Sequence, residues 1–331
     1  MATTASPVSN PCQAVRDSAS SIVQGASLVS ICDEHITQLA GSLDAATIAA
    51  GVYDHELHFW DPHRPELVAQ YLLVTDALNF CFWPSEVELE YEHLAGGLKR
   101  ALLADSSALD AARLAAMDGP GVRALLGWPA PLPLEAERAR LLREVGSALL
   151  ELYGGLAANL VQAAGQSAVQ LVRLVTAAFP GFRDHCVYRG RQLFFYKRAQ
   201  IFVGDLWGAF RGQGLGAFSD IDQLTMFADY RVPVVLRELG VLRYAPALAE
   251  AVDSRRELTA GSQEEVEIRA ATVEAVERLR RAMQARMAAE EGQAELGKRL
   301  NSVLLDWALW EQGEAQRKSH RPHHRVLTIY Y

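Results

Sequence analysis

Four stretches of this 331-residue chain set ionisable side chains among apolar neighbours, where only a partner or a ligand would justify them. In DIDQLTMFADYRVP (220–233), Asp229 lies between Phe227 and Arg231, just before Pro233. Proline disfavours helical backbone in the residue before it, so Asp229 falls at an element boundary, where side chains reach into clefts. It is the best candidate for a catalytic carboxylate, although a helix-capping aspartate leaves the same trace. Arg231 would pair with it or with another acid. In FFYKRAQIFVGDLW (194–207), helical spacing puts Lys197, Ile201 and Asp205 on one face, either as a buried ion pair or as working groups. In YLLVTDALNFCFWP (71–84), Asp76 and Asn79 interrupt an apolar run. The rings of Phe80, Phe82 and Trp83 are either core or a wall for a planar base. In LNSVLLDWALWEQ (300–312), Asp306 and Trp310 share a helix face while Glu311 lies well round from Asp306. An acid beside an indole suits a cationic, partly planar ligand, and Trp310 suits a core equally.

Other patterns carry less. RGQGLGAF (211–218) has alternating glycines but follows a helical pattern and lacks dinucleotide-binding spacing, so it reads as a turn. The histidines of SHRPHHR (319–325) have no carboxylate or cysteine at ligand spacing, and no metal is expected there. GxSxG, phosphate-loop and HExxH patterns do not occur.

The elements that must position these groups are mainly helical. Apolar residues recur at three- and four-residue intervals through most of the chain. The spacing predicts helices over 134–153, stopped by Gly154 and Gly155, and over 263–291, whose Glu and Arg residues read as a solvated face. A short hairpin with an Arg-Gly turn is predicted within 187–200, leading into a helix; alternation near 87–94 is weaker. Residues 1–20, rich in Ser, Thr, Ala and Pro, read as a loose extension, and 21–331 as one mainly helical domain. The net charge of −8 argues against a stable complex with long nucleic acid but allows a small anion held by a few local cations. Four cysteines without metal or disulfide spacing read as free thiols. No signal peptide or run of the ~18–20 apolar residues that span a bilayer is evident. The expectation is therefore a cytoplasmic monomer acting on a small molecule, away from membranes.

Taken together, LLVTDALNFCFW, FYKRAQIFVGDLW, TMFADYRVP and the final HHRVLTIYY resemble the queuosine salvage protein family, over a span from about residue 50 to the last tyrosine. The resemblance implies a fold similar to helical DNA glycosylases. It also implies hydrolysis of the N-glycosidic bond of queuosine 5′-phosphate, releasing the base queuine, without metal or redox cofactor. Carried over by motif, Asp229 is the expected catalytic carboxylate and Phe227 is expected at the base. The LHxxxP histidine is His58 in ELHFWDP. The LLDxxLWD pattern gives Asp306 and position 311, where this chain has Glu311 in place of Asp. Such a reaction builds positive charge on the sugar, which an ionised Asp229 would stabilise or trap, with Lys197 or Arg231 favouring its charged form. Asp306 and Glu311 suit the secondary amine and diol of queuine. Lys197, Arg198 and the His324–Arg325 pair are candidates for the phosphate. The rival readings are a non-catalytic binder of a modified nucleoside and a helical scaffold with no ligand site.

Overall fold

Two helices are buried around their whole circumference, and they carry much of the chemistry singled out above. Pro65–Leu78 starts on a proline that needs no helical N–H partner, and every residue from Val68 to Leu78 is buried. Lys197–Ala209 is buried without a break from Lys197 to Leu206. A helix apolar on all sides must be enclosed by others. Accordingly, in the computed structural model, which describes residues 8–51 and 53–331, Pro65–Leu78 packs against Lys197–Ala209, Tyr91–Ala104, Glu135–Leu152 and Ala157–Ala163. The main hydrophobic core is continuous from Cys12 to Tyr331. None of the four cysteines is bonded to another. Among the described residues no helix is long and apolar enough to cross a membrane.

Strand content is small. His185–Tyr188 pairs antiparallel with Arg191–Phe194, and Arg189 and Gly190 both take positive φ (49° and 74°) in the turn, as a tight hairpin needs. The hairpin leads into the Lys197 helix as expected. A second pairing, Val29–Ile31 with Leu242–Tyr244, joins segments too distant in sequence for local patterning to reveal. Near 87–94 there is no strand: Glu90 caps the Tyr91–Ala104 helix, with His93 completing a capping box.

Two expectations are corrected. Residues 11–20 are not loose. Asn10 caps a helix, Pro11–Val23, whose Cys12, Val15, Ala19 and Ile22 form a buried stripe against Gln263–Ala289. Arg16 holds it down by donating to the carbonyls of Gln223 and Leu224 and pairing with Glu277. Small Ser and Ala residues gave this helix a polar look that its stripe overrides; residues 1–7 lie outside the described residues. Nor is the charge on Gln263–Ala289 all solvated. Its Glu265, Glu267, Arg269 and Glu277 are buried because the helix runs through the molecule and each charge has partners. Glu267 accepts the N–H groups of Ser27, Leu28 and Val29.

The strongest such partnership joins Arg269 to Asp184 through two bonds, at 2.9 and 2.6 Å, with both side chains 3% exposed. Removing one partner of a buried pair leaves the other charge uncompensated. Asp184→Asn is therefore expected to lower stability by about 3–5 kcal/mol, read as a reduced urea midpoint. A midpoint within experimental scatter of the parent's would show that the pair is not holding the fold.

Candidate active site

The Lys197 helix, the 227–230 segment, the loop around residues 53–58, the end of Pro65–Leu78 and the Ser302–Ala315 helix meet around a cavity of about 270 Å³. Lys197, Ile201 and Asp205 line it at the helical spacing expected, and Asp306, Trp307, Trp310, Glu311 and Glu314 line it from Ser302–Ala315. Glu311 also lines the wall although it lies far round the helix from Asp306, and it is exposed to solvent. The buried acids are Asp205, Asp229 and Asp306; Asp54, Glu92 and Glu311 are exposed. Among the described residues of the wall, Lys197 is the only lysine or arginine.

Asp229 is held by the backbone. Its Oδ1 accepts the N–H groups of Arg231 (3.0 Å) and Val232 (3.1 Å) where the Val232–Glu238 helix begins, with Pro233 in the first turn. The aspartate thus holds the N–H groups at the start of a helix, two residues ahead of its cap position, and lines the cavity at once. Burial pushes its carboxyl up, while Lys197 and these N–H groups pull it down. Lys197 donates to the carbonyl of Asn79 at 3.0 Å, and burial lowers its ammonium to about 8 against the opposing pull of Asp229. Asp306 is raised well above the usual carboxylate range by burial and by Asp229, and its Oδ1 accepts the Phe227 N–H at 2.9 Å. Phe227 lies on the wall and fits there because residue 204 is glycine: a Cβ at that position would stand 2.8 Å from its ring.

His58 also reaches the cavity. Its Nδ1 faces the carbonyl of Asp54 at 2.8 Å, and a carbonyl only accepts, so Nδ1 carries the proton. Burial keeps the ring neutral, so Nε2 accepts from the Tyr91 hydroxyl at 2.8 Å and turns that tyrosine along the wall. Tyr91 in turn meets Trp310 edge to face. Tyr53, Tyr91 and Trp307 were not singled out from sequence; their approach depends on the packing of separate elements, with Gly208 leaving room for Tyr53 and Trp307.

Several expected contacts do not form. Arg198 is fully buried behind the cavity, where it donates to the carbonyls of Ala77 and Gly181. Arg231 gives its main-chain N–H to Asp229, but its side chain pairs with Glu314 at 2.5 Å and lies off the wall. His324 is buried elsewhere, and Arg325 stacks over Trp83. Of the three rings at 80–83, only Phe82 lines the cavity; Phe80 lies under the Arg138 guanidinium. Among the described residues no cluster of three or more His, Cys, Asp or Glu is placed to hold a metal.

Asp205 shows the cost of such a wall. Burial pushes its carboxyl from 3.8 to about 7, offset only by Lys197. Between those values the folded chain keeps a proton that the unfolded chain has released, so this group makes stability fall as pH rises from about 4 to about 7. At about 1.4 kcal/mol per pKa unit the loss is up to about 4 kcal/mol. Asp205→Asn should flatten the fall, gaining on the parent at pH 8 more than at pH 5 in urea midpoints. An equal difference at both pH values would contradict the assignment.

Residues 57–331 match the family model described as queuosine salvage protein. A protein of Dictyostelium discoideum named queuosine 5′-phosphate N-glycosylase/hydrolase is 49% identical over 80% of this chain and 79% of its own length. Proteins of that name from Sphaerobacter thermophilus and Mus musculus are 45% and 34% identical, over 94% and 96% of this chain and 95% and 98% of their own lengths. The chain belongs to the queuosine salvage protein family.

Proposed function

We propose that the chain hydrolyses the N-glycosidic bond of queuosine 5′-phosphate and releases queuine, acting as a cytoplasmic monomer on the free nucleotide. The observation that carries this reading is the Asp229 carboxylate, capped on one oxygen by two backbone N–H groups and facing a cavity walled by acids and aromatic rings. Departure of the base leaves positive charge on C1′ and O4′ of the sugar. A carboxylate already oriented and desolvated stabilises that charge without reorganising, or bonds to C1′ to give a short-lived adduct. Lys197, on the same wall, favours the ionised form of Asp229. The base lies against Phe227 and the tryptophans of Ser302–Ala315. Asp306 and Glu311 face its cationic side chain, and Glu311 meets it from the exposed end of the wall. Lys197 is the cation the wall offers to the 5′-phosphate.

Binding without turnover is the rival outcome, and one substitution separates the two. In Asp229→Asn the amide oxygen still accepts both N–H groups, so the helix start and the cavity keep their shape while the negative charge is lost. Turnover of queuosine 5′-monophosphate, followed as queuine release beside a guanosine monophosphate control, is expected to drop by at least about 10³-fold with binding retained. Normal turnover in that variant would remove Asp229 from the mechanism, and no release by the parent protein would leave a binder.

A further inference from the structure

The three buried acids of the cavity wall differ in how their oxygens are spent. Asp229 gives Oδ1 to the N–H groups of Arg231 and Val232, and Asp306 gives Oδ1 to the N–H of Phe227. Asp205 gives nothing. It is 7% exposed, lines the cavity, and accepts no hydrogen bond or ion pair from the described residues. Neither of its oxygens is sealed off, so both meet the open cavity. The phenols that feel its charge do not relieve it: Tyr91 donates to His58, and the buried Tyr53 hydroxyl has no partner. Lys197 stands just over two turns away on the same helix, about 12 Å along its axis, and donates instead to the carbonyl of Asn79. A buried carboxyl with both oxygens free calls for donors from a bound molecule.

Resting on the hydrolase reading above, we propose that Asp205 recognises the base by accepting two adjacent donors of its pyrimidine ring, the lactam N–H and the exocyclic 2-amino group. Queuine is a 7-deazaguanine and carries both side by side. Parallel donors of this kind match the two oxygens of one carboxylate, as a guanidinium does. A single cationic amine would leave one buried oxygen without a partner, and Glu311, at the exposed end of the wall, suits that amine better. Ile201 lies between Lys197 and Asp205 on the same face of the helix. That face therefore offers a cation for the phosphate, an apolar step, and an acceptor pair for the base. Gly208, three residues beyond Asp205, leaves room for the rings of Tyr53 and Trp307, so aromatic surface flanks the carboxyl where a flat base would lie. The two donors favour the charged form of Asp205 against the burial that opposes it. A base without the 2-amino group leaves one oxygen unpaired, and a site built for the pair rejects it.

The test compares two free bases that differ only in the 2-amino group, 7-deazaguanine and 7-deazahypoxanthine, by their dissociation constants in calorimetry. The parent protein is expected to prefer 7-deazaguanine by about 10- to 100-fold. Asp205→Asn keeps the shape but turns an N–H donor towards the base. It should weaken 7-deazaguanine by about 10²-fold and bring the two bases within about twofold of each other. Asp205→Ala, which removes both acceptors, should erase the preference as well. With queuosine 5′-monophosphate, Asp205→Asn should raise KM and leave kcat within about threefold of the parent, because the contact forms before the bond breaks. A parent that binds neither base, or binds both alike, overturns the proposal without any variant. An Asp205→Asn protein that keeps the parent's preference overturns it too, as does a loss confined to kcat. The expected base preference in a parent that releases no queuine would leave the Asp205 contact standing and overturn the hydrolase reading alone.

Discussion

The Asp184–Arg269 pair is the interaction on which the rest of the site depends. Asp184 stands at the mouth of the hairpin, and its main-chain carbonyl accepts the N–H groups of Phe195 and Tyr196. One of its carboxyl oxygens also accepts the N–H of Lys197, the first residue of the buried helix. Arg269, from the helix that crosses the molecule, reaches past Asp184 to donate to the carbonyl of Ala228, next to Asp229. The guanidinium is sandwiched against the rings of Phe195 and Tyr331, at 4.1 and 4.3 Å. A planar fork with five donors can make all these contacts at once; a lysine could not. Lys197 and Asp229 are thus set by the same buried ion pair, each through a main-chain bond, and their spacing does not rely on flexible side chains.

That arrangement explains how the cavity tolerates its own charge. Asp76, Asp205 and Asp306 are all pushed above the ordinary carboxylate range, chiefly by loss of water. One lysine cannot neutralise them all, and proton uptake makes up the difference. Each retained proton is destabilising relative to a solvated acid, and such groups persist where function needs them. Two of the other buried arginines nearby, Arg138 and Arg198, do not reach the cavity wall. Arg138 and Arg198 are spent on the carbonyls at the end of Pro65–Leu78, where Arg138 alone serves Leu78, Phe80 and Cys81. They satisfy backbone acceptors that a buried helix end leaves open.

What the sequence made legible follows the range over which its signals act. The Lys197–Asp205 face, the Arg-Gly hairpin and the long helix from Gln263 are local patterns, and the structure contains them. The Asp229 boundary was also local, because Pro233 marks it, and its two readings, cap and cavity residue, turn out to be compatible. The parts that were not legible depend on contacts across the chain. Arg198 has the same composition cues as a phosphate ligand, and only the position of Ala77 and Gly181 shows that its donors are consumed. Ser- and Ala-rich residues 11–20 look unstructured until Gln263–Ala289 supplies the surface for their narrow stripe. Tyr91 sits in a run of alternating acids, and its place on the wall comes from His58, a partner thirty-three positions away.

The double use of Asp229 constrains the chemistry further. Because Oδ1 is committed to the Arg231 and Val232 N–H groups, rotation of the carboxyl about its own axis would sacrifice two charge-assisted bonds at the start of a helix. The other oxygen is therefore the one left free of these bonds, with the carboxyl plane fixed by the start of Val232–Glu238. The same helix start places positive backbone partial charge behind the carboxylate, which favours its ionised form in a region where burial alone would protonate it. Asp306, on another helix, fixes the same stretch by accepting the Phe227 N–H, two residues upstream. The short stretch from Phe227 to Val232 is thus tied at both ends by carboxylates that also face the cavity. A change to either acid alters the geometry of the other, so effects of substitutions at Asp229 and Asp306 should not simply add.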